Sequence, residues 1–126
     1  MTFRARQAYV DAVVTNYVRL PGTPLQASRQ DRHFARTLWG KRVPLRVVYA
    51  AFVLAIARRE VRSASLPRLP DVRTLRFFQG AIDEVLQTQP DPAYVHYLAA
   101  KIRLLVADKD TALRSGRDDT SDSRVS

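Results

Sequence analysis

The third predicted helix of the chain, from Leu45 to Ala57, carries almost no polar side chains on any face. A helix on the surface of a globular protein keeps a continuous polar stripe, whereas a helix that is apolar all round is buried by its neighbours. Pro44 suits the first turn of such a helix, where no backbone donor is needed. These observations predict a compact all-α bundle in which a central apolar helix, at about 44–62, is packed on several sides.

Breaks marked by proline and glycine separate this helix from four others. The spacing of apolar residues predicts these helices at about 3–18, 28–39, 71–86 and 91–105. Ser28, Asp71 and Asp91 are predicted N-caps, because their side-chain oxygens can accept hydrogen bonds from the free amides of a first turn. Gly40 is expected to end the second helix. No alternating strand pattern occurs, so we expect about five helices and no sheet.

The predicted buried faces of the last two helices use large apolar residues at helical spacing. They are Val72, Leu75, Phe78, Ile82, Val85 and Leu86 in the fourth helix, and Tyr94, Val95, Leu98, Ile102 and Leu105 in the fifth. From about Asp108 the chain turns to Ser, Thr, Asp and Arg, with too little apolar surface to offset the entropy of ordering it. The chain of 126 residues is therefore predicted to form a single helical domain at 1–107 and a disordered polar tail at 108–126.

Positive charge is the unusual feature of the composition. The chain has 21 Lys and Arg against 12 Asp and Glu, a net charge of +9 and a pI near 10.8. Residues 28–68 hold ten basic and two acidic residues, while 108–126 is nearly neutral, so the excess lies in the predicted folded domain. Such a balance favours nucleic acid, an anionic membrane or an acidic protein as the partner. The alternative is that the positive charge has no specific function, because many proteins of arginine-rich proteomes are basic.

The second predicted helix places its arginines on one face. At about 100° per residue, Arg29, Arg32 and Arg36 form a narrow stripe, and Phe34 and Leu38 lie on the opposite side. Arginine binds phosphate with paired hydrogen bonds, so a stripe at helical spacing can follow a nucleic-acid backbone. The predicted nucleic-acid-binding residues are Arg29, Arg32, Arg36, Lys41, Arg42, Arg58, Arg59 and Arg62.

Some of these assignments have structural alternatives. Arg58, Arg59 and Arg62 end the central helix, where cations also complement the negative end of the helix dipole. Trp39 lies beside the arginine stripe, where its ring can stack on an arginine or a nucleobase, or instead close the edge of the core. A helix-turn-helix with 45–57 as its recognition helix is disfavoured, because that helix lacks an exposed polar face.

No group of residues predicts catalysis or a cofactor. His33 and His96 stand alone without spaced ligands, so no metal site is expected. Asp83 and Glu84 are adjacent and project about 100° apart on a helix, a poor arrangement for acid/base chemistry. The chain has no cysteine and its four glycines are scattered, which excludes thiol chemistry and the known phosphate-cradling loops. We expect no enzyme activity, no metal and no cofactor.

Nothing in the sequence predicts a membrane span or a secretory signal. The first residues lack the basic-then-apolar pattern of a signal peptide. The longest apolar run, at 47–57, is well short of the roughly 20 residues that a bilayer requires. A cytoplasmic location is therefore the expectation.

Three segments carry a resemblance to known proteins. They are Asp31-Arg32-His33-Phe34-Ala35-Arg36, Val43-Pro44-Leu45-Arg46-Val47-Val48 and Val72-Arg73-Thr74-Leu75-Arg76-Phe77-Phe78. Through these helix-core and turn residues, the stretch 17–103 resembles small helical proteins carried by bacterial mobile elements. Its layout is similar to the DnaD-like modules of replication initiation proteins. The resemblance implies a DNA-associated accessory role and assigns a role to no single residue.

Three functions are compatible with these patterns. The first is a small basic accessory protein that binds nucleic acid, with DNA favoured, and contacts phosphates without catalysis. The alternative is an adaptor or subunit that faces an acidic protein surface, with Tyr94, Tyr97 and Trp39 as interface anchors. Peripheral membrane binding through the first helix is the weakest, because Asp11 and Asn16 interrupt a modestly basic segment. The oligomeric state is open in each case.

Overall fold

The computed structural model describes residues 2–60 and 70–103, and both ranges are helical with short connections. The α-helices are α1 (Thr2–Arg19), α2 (Arg29–Gly40), α3 (Leu45–Glu60), α4 (Gln79–Thr88) and α5 (92–103), and a 3-10 helix at Leu75–Phe78 leads into α4. No strand occurs within these two ranges. The predicted all-α bundle is confirmed. The predicted tail at 108–126 lies outside the described residues, as do the last residues of the predicted domain.

Helix α3 is the centre of the bundle, as its lack of a polar face predicts. It contacts α1, α4 and the 3-10 helix. The helix begins directly after Pro44, whose carbonyl accepts hydrogen bonds from the amides of Val47 and Val48 at 3.0 and 3.2 Å. Its buried side chains are Val47, Val48, Ala51, Phe52, Leu54, Ile56 and Ala57.

An aromatic cluster joins three elements at the middle of the core. Phe78, at the end of the 3-10 helix, is fully buried. Its ring meets Phe52 of α3 at a centroid distance of 4.8 Å and Tyr17 of α1 at 6.1 Å, both in edge-to-face geometry. Such pairs stabilise a core beyond the burial of their area. Phe78 therefore fixes the 3-10 helix against α1 and α3.

The start of α2 is held by a buried carboxylate. Ser28 and Asp31 form a capping box, in which the Ser28 hydroxyl accepts from the Asp31 amide at 3.0 Å and Asp31 Oδ2 accepts from the Ser28 amide at 2.9 Å. The other carboxylate oxygen, Asp31 Oδ1, accepts a hydrogen bond from the amide of Leu75 at 2.9 Å. Asp31 is only 2% exposed, so this one side chain both caps α2 and attaches the 3-10 helix to it.

The predicted start of the fourth helix at Asp71 is wrong. Residues 70–74 have no helical structure, and the α-helix begins at Gln79 after the 3-10 turn. The physical reason is that backbone amides of this segment donate hydrogen bonds to residues outside the predicted helix. Val72 donates to the carbonyl of Gly22 at 2.8 Å, and the Leu75 amide binds Asp31. The segment is thereby held against the α1–α2 connection.

Two residues assigned to buried faces are exposed. Leu86 of α4 is 43% exposed and Tyr94 of α5 is 53% exposed, so both predictions are wrong. In α5 the inward residues are Val95 and Leu98, which are half-buried, and Ile102, which is buried. The predicted Asp91 cap is confirmed by the hydrogen bond from the Ala93 amide to Asp91 Oδ1 at 2.9 Å. Leu105 lies outside the described residues.

The end of α2 also differs from its prediction. Gly40 is the last helical residue and does not break the helix. The left-handed residue is Arg42, with φ 61°, and the amide of Val43 donates back to the carbonyl of Leu38 at 3.1 Å. This is the Schellman arrangement, which is most often built with glycine at the left-handed position.

Removal of the buried hydroxyl is expected to change the stability of the protein in opposite directions at Tyr9 and at Tyr17. Tyr9 donates to the carbonyl of Val43 at 2.7 Å, and burial, with Tyr49 nearby, raises its pKa to about 12. The Tyr17 hydroxyl has no partner among the described residues, and burial raises its pKa, with the charge of Asp31 adding to the rise. We expect Tyr9→Phe to lose about 1–2 kcal/mol of stability and Tyr17→Phe to gain up to about 1 kcal/mol.

Urea denaturation followed by circular dichroism measures both variants. The two changes remove the same atom from buried tyrosines of the same helix, so each variant is a control for the other. Equal losses in the two variants would contradict the assignment of Tyr17 as an unpartnered hydroxyl.

Candidate nucleic-acid interface

Helix α2 presents a basic face to solvent. Arg29 and His33 are exposed and Arg36 is half-buried, while Phe34 and Leu38 are buried on the opposite side. The predicted division of this helix into a basic side and a core side is confirmed. We call the predicted arginine stripe and the turn that follows it the α2 basic face. It consists of Arg29, Arg32, Arg36, Lys41 and Arg42.

Helical geometry keeps negative charge off this face, because Asp31 lies about 200° around α2 from Arg29, on the same side as Leu38. Asp31 is the acidic residue of α2, and its buried carboxylate accepts two hydrogen bonds, from the backbone amides of Ser28 and Leu75. A carboxylate at a position between these arginines would form ion pairs with them and weaken their attraction for an anion. The exposed side of α2 therefore carries cations without an acidic side chain of its own helix.

Arg32 lies at the edge of the α2 basic face. Its Nη1 atom is 3.2 Å from Oδ1 of Asp11 on α1, and both side chains are about half exposed. An exposed ion pair of this type contributes roughly 0–1 kcal/mol, so a phosphate can replace Asp11 as the partner of Arg32. Arg32 is the one member of the predicted stripe that is engaged with a described carboxylate.

The turn after α2 adds two cations. Lys41 and Arg42 are both exposed. Arg42 has the left-handed conformation in which a non-glycine residue is disfavoured by roughly 1 kcal/mol or more. Its long side chain therefore occupies a position where glycine would relieve backbone strain.

The tertiary structure places a further arginine against the core side of α2. The guanidinium of Arg76, on the 3-10 helix, lies 5.0 Å from the ring centroid of Phe34. Arg73 is exposed in the segment that leads into the same 3-10 helix. Sequence reasoning missed both residues, because it placed them in a long fourth helix. Their position follows from the bond between Asp31 and Leu75, for which local sequence has no signal.

The arginines at the end of α3 are engaged within the protein. Arg58 binds Glu84 of α4 through both terminal nitrogens, at 2.8 and 2.6 Å. The hydrogen bonds from Arg58 lower the pKa of Glu84, and those to Glu84 raise the pKa of Arg58. Arg59 donates to the carbonyl of Pro70 at 2.7 Å and lies 5.6 Å from the ring centroid of Phe77. The structure therefore does not bring Arg58 and Arg59 together with the α2 basic face.

The remaining predicted residues are Arg62 and Trp39. Arg62 lies outside the described residues. Trp39 is half-buried, and its ring centroid is 5.4 Å from that of Tyr9 on α1. Of the two roles that the sequence leaves open, the structure places Trp39 at the edge of the core, between α1 and α2.

The described residues also bear on other classes of site. Within 2–60 and 70–103, no cluster of His, Asp or Glu side chains is suited to hold a metal ion. No helix in these ranges combines the length and the apolar character that crossing a bilayer requires. Comparisons with protein-family models, with curated proteins and with solved structures gave no match. The resemblance to proteins of mobile elements stays a prediction.

Proposed function

We propose that this protein binds the phosphate backbone of nucleic acid, with DNA as the favoured form, through the α2 basic face. The observation that carries the proposal is the alignment of Arg29, Arg32 and Arg36 on one side of α2, which carries no acidic side chain of its own helix because Asp31 is buried on the opposite side. Phosphate contacts of this type position a protein on nucleic acid without reading its sequence. The protein has no need of a catalytic group in this role.

The dimensions of α2 suit a backbone contact. Its 12 residues span about 18 Å at 1.5 Å per residue. One strand of B-form DNA places a phosphate every 3.4 Å or so along its axis, so this length faces about five phosphates. The capping box at one end and the Schellman turn at the other hold the helix in place. The arginines are thereby presented from a fixed surface.

The test is a charge-matched pair of double variants. Fluorescence polarisation with a labelled duplex oligonucleotide measures the affinity of the wild type, Arg29→Ala/Arg36→Ala and Lys101→Ala/Arg103→Ala. Lys101 and Arg103 are exposed on α5, so both variants lose two positive charges. We expect the α2 variant to lose at least about tenfold in affinity and the α5 variant less than twofold. The salt dependence of the α2 variant should fall by about two in log–log slope.

A third substitution completes the series. Arg42→Gly removes a cation and places glycine at a position with left-handed backbone conformation, which glycine adopts without strain. The variant is therefore expected to stay folded, and a loss of binding would report the loss of the charge. Adding Arg42→Gly to the α2 variant should weaken binding further with unchanged helical circular dichroism. Equal losses in the α2 and α5 variants would show attraction by net charge only, and unchanged affinity in the α2 variant would remove this face from the interface.

A second function is favoured by the exposed aromatic residues of α5. Tyr94 and Tyr97 are 53% and 55% exposed, and tyrosines are common anchors of protein interfaces. Trp39, the third predicted anchor, packs on Tyr9 and does not join them. This adaptor function replaces the first proposal if the wild type binds neither duplex nor single-stranded oligonucleotides at low salt in the same polarisation experiment.

A further inference from the structure

A pocket opens between the first turns of α3, the end of α4 and the start of α5. Its volume is about 600 Å³. This lies within the range of about 300–1,000 Å³ that is typical of small-molecule sites. The pocket involves none of the residues of the α2 basic face, so its role is independent of the proposed nucleic-acid binding.

The walls of the pocket are mostly apolar, with Tyr49 and Gln89 as the neutral polar residues of the lining. Val47, Ala50 and Val53 come from α3, Val85 and Leu86 from α4, and Val95 and Ala99 from α5. Leu86, whose exposure the helical pattern did not predict, is one of these wall residues. Pro44, Pro90 and Pro92 also line the pocket, and their rings restrict the backbone around it. Such walls bind an apolar body by removing it from water.

The charged group in the lining is Arg46. Among the residues at 2–60 and 70–103, no Asp or Glu lines the pocket. Arg46 is exposed in the first turn of α3 and makes no ion pair with a described carboxylate. His96 of α5 also lines the pocket. Asp91, between two of the lining prolines, accepts a hydrogen bond from the backbone of Ala93. The polar end of a bound molecule would therefore face a guanidinium with no carboxylate in the lining.

We propose that this pocket binds a small amphipathic anion. The anionic group, a carboxylate or sulfonate, pairs with Arg46, and an acyl or aromatic body lies between α3 and α5. The combination of an apolar volume of this size with a cation and no acid selects against neutral polar molecules and cations. Arginine suits such a ligand because its planar fork can donate two parallel hydrogen bonds to one carboxylate.

The probe is 1-anilinonaphthalene-8-sulfonate, whose fluorescence rises in an apolar site. The folded wild type is expected to bind it saturably at one site. Decanoate should displace it at a concentration at least about tenfold lower than decanol, which has the same chain length without the charge. Arg46→Gln should weaken probe binding about tenfold, the loss of one charge-assisted interaction. Arg73→Gln, which removes an exposed arginine elsewhere, should change it less than twofold.

Two variants fill the pocket from opposite walls. Ala99→Phe acts from α5 and Ala50→Leu from α3, and both are expected to abolish probe binding with unchanged helical circular dichroism. Ala99→Phe should keep the oligonucleotide affinity of the wild type, which separates this pocket from the α2 basic face. The proposal is overturned if the wild type shows no saturable binding, if both filled variants bind as the wild type does, or if Arg46→Gln and Arg73→Gln weaken binding equally.

Discussion

Asp31→Ala is expected to lower the free energy of unfolding by about 3 kcal/mol, measured by urea denaturation. The change leaves the amides of Ser28 and Leu75 without the acceptor that they share in the fold. Hydrogen bonds to a charged group contribute about 1.5–3 kcal/mol each, and buried donors left unpaired add to the loss. Since most domains have only 5–15 kcal/mol of stability, this loss is a large fraction of the total.

Two further variants keep this prediction measurable. Asp31→Asn retains the shape and one acceptor oxygen, so it should lose less than the alanine variant and remain folded. Asp11→Ala removes an exposed carboxylate that pairs with Arg32, and it should change stability by less than about 1 kcal/mol. A loss in Asp11→Ala equal to that in Asp31→Ala would contradict the assignment of Asp31 as the carboxylate that joins α2 to the 3-10 helix.

Phe78→Ala is expected to have a still larger effect, a loss of about 4 kcal/mol in the free energy of unfolding. Phe78 is fully buried and contacts rings from α1 and α3. Replacing a buried phenylalanine by alanine removes its transfer free energy and leaves a cavity that the surrounding helices fill only in part. The measurement is the midpoint of urea denaturation together with its slope, which reports whether unfolding remains two-state.

The neighbouring Phe77 is the matched control. It is 48% exposed, and its ring meets Phe78 at 5.1 Å from the outer side of the core. Phe77→Ala should lose about 1 kcal/mol or less, because half of its surface is already in water. If Phe78→Ala does not fold, Phe78→Leu, with an expected loss of about 1–2 kcal/mol, provides the comparison. Equal losses at Phe77 and Phe78 would contradict the described core.

Together the two residues explain how the α2 basic face is held. Phe78 anchors the 3-10 helix in the core, and Asp31 attaches α2 to the same 3-10 helix. Substitutions at either residue are therefore expected to disturb the position of Arg76 beside Phe34. For this reason the binding test changes exposed arginines only, and it leaves both anchoring residues intact.

Local sequence was sufficient for the parts of the fold that depend on neighbours within a turn or two. The Ser28 cap, the Asp91 cap and the division of α2 into a basic and a buried side all depend on residues two to four positions apart. The central place of α3 follows from its own composition, since no surface position could satisfy a helix without a polar face.

The tertiary structure decided the features that depend on residues far apart in the chain. The contact between Asp31 and Leu75 spans 44 positions, and it converts the start of the predicted fourth helix into an extended segment. Arg58, a predicted nucleic-acid-binding residue, instead pairs with Glu84, which is 26 positions away in the chain. The spacing of apolar residues describes one helix at a time, and it does not indicate which side chains of other helices contact that helix.

The apolar stretch at 45–57 thus determined by itself that the chain would surround a central helix, because burial is the only way to remove such a surface from water. What surrounds it was decided by packing. Helices α1 and α4 and the 3-10 helix cover α3, while α5 leaves a pocket beside Arg46. The positive charge of the chain is a property of its composition. Its concentration on one side of α2 follows from the three- and four-residue spacing of the arginines. The burial of Asp31 on the other side was decided by the folded backbone, which brings the amides of Ser28 and Leu75 to the carboxylate.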